Sequence, residues 1–369
     1  LNTYNLDGTY MFGNSIKTGY YQKSYKLNTI SWEKARTWGI GIDASLFNAI
    51  DLSVDYYDRK TTGIIMDVPV PNEFALNAYK DNVGAMVNRG VEVTLSYHKQ
   101  WGDWKFGATG NFAYNKNELL DLGGVDSMVD PYDKYKRRQV GARFNSFYAY
   151  KADGFFNSDE EAQAWMDKYA SQKGYPFGTN KFKGGDLIYQ DTNNDGKMTE
   201  DDRVLLGSTD PAWTFGLNLN AGYKGFDLSL MFSGAADVSR MFAQPGDFNG
   251  DMSHPTTAWL DAWTPENKDA KMPRVAYEKK SPSHPWNNMS SFWIQNASYV
   301  RLQNLQFGYT FPTNWLKVLH VETLRVYYSA ENLFTIDNMM VNVDPESMDT
   351  NGYGYPRLRT HSFGVSLTF

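Results

Sequence analysis

The 369-residue sequence has no cysteine. That removes disulfides and thiolate metal sites and leaves the cellular compartment open. Basic charge is not in excess: 36 Lys and Arg face 42 Asp and Glu, for a net charge of −6, and no basic stripe runs along any segment. Nucleic acid is therefore not an expected partner. There is no run of the roughly 18 or more apolar residues that a transmembrane helix needs, and mean hydropathy is −0.55. A membrane is not thereby excluded, because a transmembrane β-strand needs only about 9–11 residues, half of them polar. Enzyme signatures are missing as well: no nucleophile elbow, H-E-x-x-H, phosphate-binding glycine loop or dinucleotide fingerprint occurs. The five histidines, His98, His254, His284, His320 and His361, have no metal-ligand spacing to one another. No enzymatic activity is expected.

Aromatic residues, by contrast, make up 16% of the chain. Enrichment in aromatics at low hydropathy suits a β-barrel with aromatic girdles, and also an extracellular carbohydrate-binding protein. Period-two alternation is clearest from Ala212 to Ser233. Trp213, Phe215, Leu217, Leu219, Ala221 and Tyr223 share one face, and Thr214, Gly216, Asn218, Asn220 and Gly222 the other. After Lys224–Gly225 the alternation resumes with Phe226, Leu228, Leu230 and Phe232, which predicts a hairpin. The same pattern joins Trp38–Leu46 to Ile50–Tyr56 through Phe47–Ala49, Val91–Tyr97 to Trp104–Tyr114 through Lys99–Asp103, and Leu305–Phe311 to Leu324–Ala330 through Pro312. The ending "HSFGVSLTF" puts Phe363, Val365, Leu367 and Phe369 on one face.

These segments amount to about nine strands whose connections alternate in length. Short turns lie near 47–49, 99–103, 224–225 and 312–320; long polar segments lie at 59–88, 116–211, 235–297 and 334–359. Outer-membrane barrels have short periplasmic turns and long external loops. That assignment places the C-terminus in the periplasm and requires Phe144–Tyr150 to lie within the large external loop 116–211. The lumen-side carboxylates Asp43, Asp51, Asp55, Glu92 and Glu331 then read as the polar inner face of a barrel rather than as acid/base pairs. A soluble β-sandwich also shows one apolar face, but a structureless loop near 95 residues argues against a compact domain. Nine is an odd count and an open edge in lipid leaves backbone groups unsatisfied, so closure is expected to need strands beyond this sequence.

The stretch "DTNNDGKMTEDD" has the spacing of a calcium loop. Asp191, Asn193 and Asp195 take positions 1, 3 and 5, Gly196 the sharp turn at position 6, Lys197 the carbonyl position 7, and Asp202 position 12, where Glu is usual. The alternative is an Asx-rich turn without metal. The expected ion is Ca2+ in a structural role, bracing the long external loop. "SDEEAQAWMDKYASQ" predicts a short helix, with a capping box from Ser158 and Glu161 and with Trp165 and Tyr169 on one face. The other long segments carry Trp259, Trp263, Tyr277, Trp286, Trp293, Tyr353 and Tyr355, which suit either loop packing or stacking on a glycan or peptide.

Several motifs taken together resemble a known family. "SWEKARTWGIGIDASLF", "IDLSVDYYDRKTTGII", "NVGAMVNRGVEVTLSY", "FYAYKADGFFNSDEEAQAW", the stretch from "GDLIYQDTNNDGKMTEDD" to "GFDLSLMFSG", "ASYVRLQNLQFGYTFP" and "YPRLRTHSFGVSLTF" are similar, in family order from about Ser31 to Phe369, to the SusC/RagA type of TonB-dependent outer-membrane receptor. The resemblance implies an all-β transmembrane antiparallel barrel of about 22 strands with a plugged lumen. Residues 1–369 would be its C-terminal part, with the plug and the TonB-contacting segment outside this chain. It also implies the outer membrane of a Gram-negative bacterium, a SusD-like surface lipoprotein as lid, and energy from TonB-ExbB-ExbD. The expected function is import of a glycan or peptide nutrient, with the barrel-assembly machinery recognising the strand that ends at Phe369. Trp259, Trp263, Trp286 and Tyr353 become the residues expected to touch ligand or lid. Two other readings stay open: a non-transporting barrel subunit of an assembly or secretion complex, and a soluble calcium-dependent adhesin.

Overall fold

The computed structural model describes residues 4–22, 30–68, 70, 73, 79–179, 181–242, 257–276, 281–284, 287–316, 321–340, 343–347 and 355–369. Its main feature is a sheet of nine strands in which neighbours in the chain are neighbours in the sheet. The strands are β1 (Lys34–Leu46), β2 (Ile50–Val68), β3 (Tyr79–Trp101), β4 (Trp104–Leu122), β5 (Trp213–Tyr223), β6 (Phe226–Ala236), β7 (Tyr299–Thr310), β8 (Thr323–Asp337) and β9 (Thr360–Thr368). The chain divides into two compact units, one of residues 1–40, 56–90 and 116–144 and one of 41–55, 91–115 and 145–369.

The second unit holds all four short connections, and their chemistry explains the hairpins. Phe47 and Asn48 both adopt positive φ, 54° and 49°, and Ala49 N–H closes on the Leu46 carbonyl at 3.1 Å. Lys224 and Gly225 do the same at 45° and 89°. These are type I′ turns, whose twist matches that of paired strands. Between Trp101 and Trp104 the turn has glycine at its first central position, with φ 58° at Gly102, the type II′ requirement. This turn is shorter than the expected Lys99–Asp103, because β3 continues through Trp101.

Register separates the faces. Phe106, Ala221, Leu228, Phe307, Tyr328 and Phe363 are cross-strand partners in one continuous row over six strands. The next row reads Gly107, Asn220, Ser229, Gln306, Ser329 and Ser362. The apolar face is the one the alternation predicts. Leu302 and Leu305, three apart, still share it, because Leu302 pairs with Phe334 and Asn304 with Glu331. A bulge opposite Asn332, itself at φ 52°, absorbs the phase change.

In the first unit the structure departs from the expected polar segment 59–88: β2 runs to Val68 and β3 starts at Tyr79. Polar pairs hold these extensions together. Arg89 Nε lies 2.7 Å from Asp58 Oδ2, Lys80 Nζ 3.3 Å from Asp67 Oδ1, and Asn82 Nδ2 donates to the Gly63 carbonyl at 2.7 Å. Polar residues mixed with an apolar run on both faces at Ile64–Met66 erase the alternation that would have marked them. β4 likewise continues to Leu122, where Leu119 and Leu122 bury with Met66 against Ile64, Val83, Met86, Met128 and Phe144.

Candidate functional site

From Ser146 onward the connection between β4 and β5 builds a small body of short strand pairs and a helix within the second unit. Ser146–Tyr150 lies outside the nine-stranded sheet, as expected, and pairs with Arg203–Ser208. Ala152–Phe155 pairs with Leu187–Tyr189. The helix α1 (Asp159–Tyr169) is capped by Ser158 Oγ, which accepts from Glu161 N–H at 3.3 Å. The Glu161 carboxylate reaches back to Asn157 N–H at 2.6 Å, one residue earlier than a standard capping box. Trp165 and Tyr169 share a face, with ring centroids 4.9 Å apart. Around them pack Phe156, Tyr175, Phe177, Phe182 and Tyr189. Trp165 thus serves the core of this body.

The loop from Asp191 to Asp202 leaves that core. Asn194 and Gly196 take positive φ, 59° and 77°. Gly196 N–H donates to Asp191 Oδ2 at 2.8 Å, Asp195 N–H to Asn193 Oδ1 at 2.9 Å, and Lys197 N–H to Asp195 Oδ1 at 2.8 Å. Gln172 Nε2, just past α1, donates to the Gly196 carbonyl at 3.1 Å. Asn193, Asp195 and Lys197 are exposed. Asp202 is fully buried, and its carboxylate accepts from Thr192 N–H at 2.9 Å and Thr199 N–H at 2.7 Å. It brackets the two ends of the loop. Among the described residues no group of three His, Cys, Asp or Glu side chains is arranged to hold a metal. One feature does fit a cation: Asp191 Oδ1 is buried without a hydrogen-bond partner, and an unpaired carboxylate oxygen away from water is costly. Asp191, Asn193, Asp195 and the Lys197 carbonyl supply the hard oxygens calcium prefers.

The aromatic residues divide differently from expectation. Trp263 is 8% exposed and lies on Gly184–Gly185: a Cβ at either glycine would sit 2.8 or 2.5 Å from the indole. It packs rather than faces solvent. Trp259 is half-buried beside Leu260, which is 88% exposed. Trp286 and Tyr353 lie outside the described residues.

Two polar centres escaped the sequence reading. Asp186 is fully buried. It accepts from Ser281 Oγ at 2.5 Å, Ser283 Oγ at 3.2 Å and Lys183 N–H at 2.9 Å, and pairs with Arg274 Nε at 3.0 Å. Burial raises its pKa above the ordinary carboxylate value, against the pull of Arg274 and Ser281. Arg301, 2% exposed on β7, binds Asp344 and Glu346. Neither has a motif. The second leaves one trace, an arginine inside an otherwise uncharged strand.

Comparison with known proteins agrees with this architecture. The family described as "TonB dependent receptor-like, beta-barrel" matches residues 3–238. TonB-dependent receptor P3 of Formosa agariphila is 27% identical over 97% of this chain and 36% of its own length. TonB-dependent receptor SusC of Bacteroides thetaiotaomicron is 28% identical over 98% of this chain and 34% of its own. The solved structure of the RagAB peptide transporter superposes with a TM-score of 0.73 at 25% identity, covering all of this chain and 38% of that one. The chain therefore spans little more than a third of the length of these relatives.

Proposed function

The chain belongs to the TonB-dependent receptor β-barrel family, and on that premise we propose that it forms part of the wall and outer vestibule of an importer for a glycan or peptide nutrient. Barrels of this family sit in the outer membrane and are transporters rather than enzymes. The observation that carries the reading is the nine-strand meander with one apolar and one polar face, in which short turns and long connections alternate. Outer-membrane lipid covers the apolar rows, the long connections are extracellular, and the strand ending at Phe369 finishes in the periplasm, read by the barrel-assembly machinery. No energy source exists in the outer membrane itself, so uptake against a gradient draws on TonB-ExbB-ExbD through receptor segments outside this chain. A SusD-like surface lipoprotein seats on the long connections, with Trp259 and Leu260 as its nearest apolar contact. The relative solved as a peptide transporter supports the peptide arm.

Under the same reading the Asp191–Asp202 loop holds one calcium ion through Asp191, Asn193, Asp195 and the Lys197 carbonyl. Asp202 contributes its remaining lone pairs or only the bracket. The ion is structural, tying the loop to the body around α1.

Growth on the cognate nutrient after separate removal of TonB and of the partner lipoprotein tests the importer. Loss of growth in each case is the expected result; uptake indifferent to both would transfer the chain to the non-transporting scaffold.

A further inference from the structure

Arg301 lies on the polar face of β7, opposite Ser233 on β6 and Thr335 on β8. It is nearly inaccessible because residues 343–347 lie over it. Every nitrogen of its guanidinium is used. Nε donates to Thr335 Oγ1 at 2.9 Å, Nη1 to Glu346 Oε2 at 2.5 Å, and Nη2 to both Asp344 oxygens at 2.8 and 2.9 Å. Tyr299, two residues earlier on the same face, donates its hydroxyl to Glu346 Oε1 at 2.5 Å. Arg357 approaches the same two acids, with Nε 3.1 Å from Asp344 and Nη2 2.8 Å from Glu346. Within the segment, Glu346 N–H and Ser347 N–H close on Asp344 and Pro345 is buried. Upstream, Met340 N–H donates to Gln295 Oε1 at 2.9 Å, and Met339 packs on Ala235, Val238, Ala297 and Tyr299.

We propose that residues 343–347 form a strap folded inward over the polar face of the sheet, narrowing the solute path through the barrel, and that Arg301 is the positioning residue that holds it there. The proposal rests on the reading above only in taking the polar face as the lumen side. Arg301 is the third residue of β7 and Tyr299, which also bonds Glu346, its first, so the strap covers the polar face at the end of the sheet where β8 finishes at Asp337. The chemistry fits a fixed element. Two arginines and two carboxylates balance in charge, and the three guanidinium nitrogens, each on a different residue (Thr335, Glu346, Asp344), fix the orientation of the Arg301 side chain. Removing one member of a buried ion pair leaves an uncompensated charge, so loss of the Arg301 guanidinium is expected to undock the strap. When docked it offers the path a carboxylate and a guanidinium side by side, since the Glu346 and Arg357 side chains are 37% and 42% exposed. Such a rim suits polar solutes and disfavours apolar ones.

The test uses the whole receptor in its native membrane. This chain contributes no cysteine, so Ser347→Cys places a single reporter in it, read by the labelling rate with a membrane-impermeant maleimide. Replacing Arg301 by Met is expected to raise that rate by about tenfold or more, the change that ~1.4 kcal/mol in an opening equilibrium produces. Entry of a hydrophilic dye should rise with it, and Arg301→Lys should restore part of the protection. Unchanged labelling and dye entry in an Arg301→Met barrel assembled at normal surface yield would overturn the proposal. Where that variant fails to assemble, Arg357→Met, which loosens the strap from its exposed side, replaces it. A smaller rise supports the strap and no rise overturns it. Neither readout needs TonB or the nutrient, so a failure of the strap is distinguishable from a failure of the importer.

Discussion

Asp227 and Arg325 bind each other across a strand that belongs to neither. Arg325 Nε lies 3.0 Å from Asp227 Oδ1 and Nη2 2.6 Å from Oδ2, yet β6 and β8 are separated by β7. The residue between them is Gly308, paired with Asp227 on one side and Tyr327 on the other. A Cβ there would lie 2.6 Å from Arg325 Nη2 and 2.8 Å from Asp227 Oδ1. Glycine leaves room here for a close side-chain approach; an alanine would have to push aside the tips of these two partly exposed side chains.

Gly308→Ala should therefore part the pair. The expected loss is at most about 1 kcal/mol, the worth of a partly exposed ion pair, read as a lowered denaturation midpoint of the assembled barrel. Because both changes remove one interaction, Gly308→Ala and Arg325→Met should fall well short of additivity. Strict additivity in that double-mutant cycle would show that Gly308 is kept for another reason.

Most of the sheet was legible because register and alternation carry the same information. Leu217, Leu230 and Phe307 lie where period two puts them, and Lys224–Gly225 is marked as a turn by Gly225 and by the alternation on either side. The parts that were not legible have physical causes. At Gln303 a bulge shifts the phase, so alternation starts only at Leu305 although β7 begins at Tyr299. From Arg59 to Val68 the alternation fails because Ile64, Ile65 and Met66 are apolar on both faces and polar residues such as Asp67, paired with Lys80, surround them. Trp263 looked like a ligand platform because exposure is not a property of one residue: its burial depends on Gly184 and Gly185, some eighty positions earlier. Asp186 and Arg301 gain their partners from connections distant in sequence, which no local pattern reports.

Leu217 and Asn218 test the assignment of faces. They are adjacent on β5, and their partners on β6 are Phe232 and Met231. Arg at Leu217 should cost on the order of 2–4 kcal/mol if the site lies near the bilayer midplane, while Arg at Asn218 should be tolerated in the aqueous lumen. Folding into lipid vesicles under urea titration measures both, and equal tolerance would reverse or abolish the two faces.

For calcium, Asp195→Ala removes an exposed ligand without touching the buried bracket at Asp202. Protection of the loop between Tyr150 and Arg203 from protease should increase with added calcium in the natural sequence and lose that dependence in the variant. Magnesium should substitute poorly, since it demands tight octahedral geometry. Protection indifferent to calcium in both proteins would leave an Asx-rich turn braced by Asp202 alone.

Asp186 gives a pH dependence whose sign follows from its burial. An ordinary aspartate titrates near about 4, and desolvation lifts the folded value above this despite Arg274, Ser281 and the Lys183 amide. In the window between the two values the folded protein binds more protons than the unfolded chain, so stability falls as pH rises. The contribution of the protonated form is complete below the unfolded pKa and is lost as pH rises through the folded one. Asp186→Asn keeps the shape and cannot titrate. The stability of the natural protein relative to this variant should thus decline on going from about pH 4 upward and level off above the folded pKa. Thermal scans of protease susceptibility in the segment from Tyr150 to Trp293 read this difference directly. A natural protein that instead gains on the variant as pH rises would mean that the 3.0 Å pairing with Arg274 outweighs burial, and that the folded pKa lies below the ordinary value.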